Sequence, residues 1–300
     1  MTFERSAEWD AFGPWILPVT SEEDVPRAFR GYPFAFDQPA RILKVPRNVE
    51  QRDASPGMHL YDQMLIPEQD RLTILRRVDD GHTVSVVPSA TIAAVEFGTE
   101  LLQGWIAIHV DDGTRVDIVV NAAARDTLAD IAHALVEAAA GAEVSEAESD
   151  RLPLDALGTG DDVAFVNGYR SVSLRRPGLR VSAAYRGRRP RVADGWVVRL
   201  RKGPARLSGA VFARNDRHLV SVSRREWLKR GTAPDLSLRT LIVARARVTG
   251  IEVREHGTAR GVTTVELLAG AARIEFLVPT DSDAVAALRA SLPETATRAD

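Results

Sequence analysis

The chain has 300 residues, 45% of them hydrophobic and 27% charged, with a net charge of −2 and no cysteine. That composition is that of an ordinary soluble globular protein with room for about two domains. It excludes a disulfide framework, a thiolate nucleophile and a cysteine-based zinc site. No run approaches the ~20 apolar residues of a spanning helix. The opening residues carry acids and no apolar h-region, so they do not read as a secretory signal, and the expected compartment is the cytoplasm, with peripheral attachment at the inner membrane as a variant.

Residues 1–57 begin with Trp9, Phe12 and Trp15 and are then punctuated by prolines. Pro14–Thr20 and Ala40–Pro46 predict short strands, and Ser21-Glu22-Glu23-Asp24 predicts a helix start with acid in its first turn. This arm is too short for a core of its own, and both tryptophans are expected to pack on the domain that follows.

Residues 58–140 read as that domain. Met64–Pro67 and Arg71–Arg77 flank Glu68-Gln69-Asp70 as a hairpin, and Asp79-Asp80-Gly81 is a second turn, where glycine tolerates positive φ. Ala90–Phe97 and Trp105–Val110 are further strands; Ile106, Ile108 and Val110 alternate with Trp105, Ala107 and His109. Asp111-Asp112-Gly113 turns into another strand. Asn121 then caps a helix whose Leu128, Ile131, Leu135 and Val136 share one face. The prediction is six or seven antiparallel strands and one amphipathic helix.

The pattern is written twice, the second copy spanning 207–293. Asp70-Arg71 falls on Asp216-Arg217, Ile92 and Val95 on Val248 and Ile251, and Glu96 on Glu252. Gly104 and Gly113 fall on Gly261 and Gly270, and Leu128, Ile131 and Leu135 on Val285, Leu288 and Leu292. The offset drifts from 146 to 156, which places about ten extra residues around Arg224–Thr240.

Strand order and phasing in these blocks resemble the bacterial form of the pleckstrin-homology-like (PH-like) barrel. The residues that carry the resemblance are LIPEQDRLTIL, VVPSATIAAVEF and GWIAIHVDDGTRVDIVV, and in the second copy VFARNDRHLVSV, VARARVTGIEV and GVTTVELLAGAARIEFLV. The resemblance implies two antiparallel β-barrels, each closed by a C-terminal helix. Neither closing helix carries the tryptophan typical of eukaryotic members, and Pro67–Asp70 lacks the basic cluster that holds phosphoinositides, so no lipid site carries over.

Residues 141–206 join the copies, and residues 294–300 form a tail. Asp130–Asp162 holds nine carboxylates against Arg151, and Ala140–Gly160 reads as a flexible linker. Arg170–Arg206 holds twelve basic residues against Asp194, with Tyr169, Tyr185 and Trp196 interleaved. This basic segment supplies the candidate partner-binding residues: Arg175, Arg176, Arg186, Arg188, Arg189, Arg191, Arg199, Arg201, Lys202 and Trp196. Trp227, in the insertion of the second copy, joins them. Clustered arginines neutralise phosphates, and aromatics stack on bases or sit at a lipid interface. The plainer reading is a solvated surface, partly paired with the acidic stretch, with Trp227 covering the end of its own barrel.

Catalytic signals are absent. His59, His82, His109, His133, His218 and His256 have no metal-ligand spacing. Gly158–Asp162 lacks the spacing and lysine of a phosphate loop, and no serine sits in a G-x-S-x-G elbow. The paired aspartates sit at turns and do not converge in a cleft. The sequence therefore points to a non-enzymatic binding or scaffold protein without a cofactor, engaging another protein. The alternatives are an anionic membrane or nucleic acid held by the basic segment, and an enzyme with a site between the barrels.

Overall fold

The computed structural model describes residues 7–37, 41–49, 51–140, 148–157, 163–192, 203–232, 234–292 and 297–298. A short α1 (Ala7–Asp10) opens the arm. Then follow β1 (Leu17–Pro18), β2 (Leu43–Pro46), β3 (Tyr61–Pro67), β4 (Arg71–Val78) and β5 (Gly81–Pro88). A 3-10 turn at Ser89–Thr91 leads to β6 (Ile92–Glu100), β7 (Gln103–Val110), β8 (Arg115–Asn121) and α2 (Arg125–Ala140). The joining segment supplies α3 (Val163–Arg175), β9 (Arg180–Tyr185), β10 (Arg191–Val192) and β11 (Ala205–Leu207).

The second copy runs through β12 (Ala210–Arg214), β13 (His218–Ser223), β14 (Leu228–Arg230) and β15 (Leu238–Ala244) to a 3-10 turn at Arg245–Arg247. It continues with β16 (Gly250–Glu255), β17 (Ala259–Arg260), β18 (Val262–Ala269), β19 (Ala272–Pro279), α4 (Ala284–Arg289) and β20 (Thr297–Arg298). Each copy is thus a three-stranded unit, a 3-10 turn, a second three-stranded unit and a helix. The insertion of the second copy is the excursion between β13 and β15 that carries β14, which pairs with β11.

The sheets are not the expected barrels. Three open sheets dominate, ordered β1-β2-β3-β4-β5, β8-β7-β6-β15-β13-β12-β9 and β19-β18-β16-β20, and none closes on itself. The reason lies at the centre of the largest. Strand β6 of the first copy pairs antiparallel with β15 of the second, from Leu238 opposite Thr99 to Val243 opposite Ala94. The β6 and β15 edges, which closure within each copy would need, pair with each other instead. Burial favours this: the joint adds Val95, Phe97 and Ile242 to a shared apolar core.

Among the described residues, three large cores separate the layers, with a small fourth cluster of Ala93, Ala269 and Ala272. The first lies between the five-stranded sheet, α2, α3 and one face of the seven-stranded sheet. The second lies between the other face of that sheet, the four-stranded sheet and α4. The third is built by the arm, with Phe12, Val25, Phe29 and Leu60 covering Tyr61 and Leu75 on the outer face of the five-stranded sheet. The predicted helix start at Ser21 forms only a 3-10 turn, Glu22–Asp24. Trp9 packs against the arm core, whereas Trp15 is exposed, lying over Gly13, where a Cβ would strike its ring.

Helix α2 buries Leu128, Ile131, Leu135 and Val136 as its spacing predicts. Asn121 Oδ1 accepts from the Ala123 N–H at the start of this helical segment. Helix α3 was not legible as one. Its Phe165, Val166, Tyr169 and Val172 are buried, and Gly168 lies so close to the sheet that a Cβ would stand 2.8 Å from Val222. Among the described residues, no helix is long and apolar enough to cross a membrane.

Candidate functional site: the free edge of the first sheet

A strand at a sheet edge presents unpaired N–H and C=O groups, and proteins blunt such edges to prevent unwanted pairing. Most edges here are blunted. Strand β1 has two residues, one of them Pro18. Arg76 Nη2 donates to the Asp117 carbonyl on β8 at 3.0 Å. On β9, Asp150 accepts from the Val181 N–H at 2.9 Å and binds Arg180 at 2.7 Å, and the ladder to β12 is irregular. On β19, Trp227 Nε1 donates to the Glu275 carbonyl and the Tyr185 hydroxyl to the Leu277 carbonyl, both at 3.1 Å.

Strand β5 has no such cover among the described residues. It spans eight residues, Gly81–Pro88, in unbroken register with β4 from Val78 opposite Gly81 to Arg71 opposite Pro88. The turn between them is Asp79-Asp80, with Asp79 at φ 50°, a conformation aspartate tolerates better than most residues. A two-residue turn makes Val78 and Gly81 a hydrogen-bonded pair. The alternation then directs the backbone groups of Thr83, Ser85 and Val87 to β4, and those of His82, Val84 and Val86 outward. Pro88 falls on the outward set, where its missing N–H costs no ladder bond.

The side chains match. Val87 enters the core, but Val84 and Val86, beyond the reach of the arm, are 48% and 52% exposed. The turn end of the strand is anchored: His82 Nδ1 lies 2.9 Å from the Ala28 carbonyl and its ring packs against Phe29. No lysine, inward charge or bulge interrupts the strand.

Strand β15 occupies the equivalent place in the second copy, the third strand before a 3-10 turn, and there the outer edge is filled by β6. That joint is polar at one point. Glu96 on β6 accepts from Trp105 Nε1 at 3.3 Å and lies 3.8 Å from Arg239 Nη1 on β15, both side chains being buried. Burial alone would raise the Glu96 carboxyl, yet the His109 ring, 4.0 Å away, and the Arg239 charge hold it at about 2. The Arg239 guanidinium also lies 4.4 Å from the centre of the Trp227 ring, a cation–π contact.

The residues singled out from sequence are dispersed. Arg186, Arg189 and Arg191 are exposed, and Arg191 lies directly opposite Arg260 in the β10–β17 ribbon. Arg188 binds Asp281 at 2.6 Å, and Arg175 binds Asp130 at 3.0 Å. Arg176 is 2% exposed. Its Nε donates to His133 Nδ1 at 3.1 Å and its Nη1 to Glu137 at 2.6 Å, with the His218 ring 3.2 Å from Nη1. Burial first, then the Arg176 charge, holds both histidines down to about 3, so they accept from Arg176 as neutral rings. Trp227 is 6% exposed and stacks on Phe212. Trp196, Arg199, Arg201 and Lys202 lie outside the described residues. Among the described residues, no three His, Asp or Glu side chains stand close enough to hold a metal ion.

The edge of β5 was missed from sequence because HTVSVVP reads as any strand; only the sheet order shows that no strand among the described residues lies beside it. No protein-family model, no curated protein and no solved structure matches the chain.

Proposed function

We propose that the protein is a binding module, not an enzyme, and that it takes an extended segment of another protein as a sixth strand along β5. Strand addition draws affinity from main-chain hydrogen bonds and specificity from alternate side chains. The observation that carries this reading is the β6–β15 joint: the equivalent edge in the second copy already holds an added strand. The bound segment would set one row of side chains beside Val84 and Val86 and the other beside Thr83 and Ser85. An alternation of aliphatic and small polar residues suits both rows.

The test is selection of binders from a displayed random-peptide library against the full chain. The selected peptides should lose binding to Val86→Pro, which removes an outward N–H without breaking the β4 ladder, and to Val84→Lys. Peptides that bind both variants as well as the parent chain would overturn the reading.

A second reading, attachment to an anionic membrane surface, is favoured by the β6–β7 turn. Leu101 and Leu102 form its exposed tip, with Leu101 at φ 53°, and Arg225 and Lys229 contact the neighbouring Glu100. A bulky residue in the left-handed region is a strained choice for a turn. Co-sedimentation with anionic vesicles at low salt, lost in Leu101→Ser/Leu102→Ser, would support it. Loss only in Arg186→Ser/Arg189→Ser/Arg191→Ser would place the contact on the basic ribbon instead, and no sedimentation at low salt would remove the membrane reading.

A further inference from the structure

Where α2, α3 and the β6–β15 joint meet, the fold leaves a cavity of about 310 Å³, within the range that takes small ligands. Its buried lining is mostly apolar, from Phe97, Leu128, Ala129 and Val172, with His133 and Thr240 as the polar exceptions. Its exposed lining is polar. Asn167, Ser171 and Arg175 repeat every four residues along one face of α3, and Arg125 stands across from them on α2 beside Asp126, which also lines the cavity.

Two features give this lining a sign. His133 Nδ1 is occupied as an acceptor by Arg176 Nε, so the neutral ring keeps its proton on Nε2 and offers an N–H rather than a lone pair. The two arginines are paired with exposed carboxylates, Arg175 with Asp130 at 3.0 Å and Arg125 with Asp126 at 3.5 Å, and Arg175 Nη1 also donates to the Ser171 hydroxyl at 3.4 Å. Exposed pairs of that kind contribute little and re-form easily around another anion. The cavity thus combines an apolar interior, a fixed N–H donor and two guanidinium groups that can be redirected.

We infer that this cavity binds a small amphipathic carboxylate, its hydrocarbon tail against Phe97, Leu128 and Val172 and its head group between Arg175 and Arg125. The site is independent of the β5 edge and draws on both copies and the helix between them. An occupant would therefore brace the joint without touching the strand-docking edge.

Octanoate is a suitable probe, with octanol and octyltrimethylammonium as controls that keep the tail and remove or reverse the charge. Calorimetric titration of the full chain should show saturable binding of octanoate and a raised unfolding midpoint, with neither control matching it. Arg175→Gln should weaken octanoate roughly tenfold, the scale of one charge-assisted contact. Ser171→Trp, at an exposed position that leaves the core intact, should block it by filling the entrance. Equal binding of octanol and octanoate, undiminished binding in Ser171→Trp, or no saturable signal at millimolar octanoate would each overturn the inference. Peptide capture by β5 is unaffected in every case, so the two proposals fail separately.

Discussion

Strands β5 and β15 hold the same place in two copies of one pattern, and they meet opposite fates. Strand β15 is buried along nearly its whole length, with β6 on its outer edge and Glu96 set against Arg239 across the joint. Strand β5 ends its sheet, with two valines half in solvent. A shared pattern therefore fixes the local ladder but not the neighbour. What separates the two strands is a supplied partner, and among the described residues β5 has none.

Breaking the filled edge should cost most. Glu96→Gln leaves the Arg239 charge buried beside a neutral amide, and chemical denaturation should show a loss of roughly 3–5 kcal/mol. A loss below about 1 kcal/mol would mean that the joint does not depend on its ion pair.

Acid should loosen the same region next. His133 and His218 are held near 3 in the folded chain against an ordinary 6.5. The unfolded chain thus takes up more protons between those values, and stability is present above about pH 6.5 and lost as the pH falls towards 3. The slope approaches about 1.4 kcal/mol per pH unit for each ring. Unfolding measured across this range should show it, and His218→Phe should flatten it even where that variant is less stable throughout.

Equivalent turns sharpen the comparison further. Gly113 and Gly270 both have positive φ, at 88° and 60°, and the two turns meet, with the Ala271 N–H donating to the Asp111 carbonyl at 2.6 Å. A Cβ on Gly270 would strike that carbonyl, whereas one on Gly113 meets Ala271 at an ordinary 3.5 Å. Gly270→Ala should cost about 2–3 kcal/mol and Gly113→Ala about 1 kcal/mol, by thermal unfolding. The smallest effect belongs to the open edge: Val84→Thr should change stability by less than about 0.5 kcal/mol.

Much of this was legible in the sequence because strands and amphipathic helices write their own periods. The repeat, its turns at Gly113 and Gly270, the buried face of α2 and the insertion before β15 all follow from residue spacing. The pairing of β6 with β15 does not, since a period of two marks which face is buried and says nothing of which strand lies alongside. Barrel closure followed only from the resemblance to the PH-like barrel, and the β6–β15 pairing overturns it. Helix α3 was missed because Asn167, Gly168, Ser171 and Ser173 weaken its local preference, and its burial against the sheet decides the matter. Arg176 looked like a surface group by its charged neighbours, yet finds two neutral histidines and a glutamate; Trp227, read either as an interface residue or as cover for its own copy, packs on Phe212 and donates to a carbonyl on β19.

The most direct test of the open edge is amide hydrogen exchange along β5 in the full chain, alone and with a selected peptide. In the free protein the amides of His82, Val84 and Val86 should exchange far faster than those of Thr83, Ser85 and Val87, and the peptide should slow the first set alone. Equal protection of both sets before any peptide is added, or protection by the peptide at some other edge, would contradict the account.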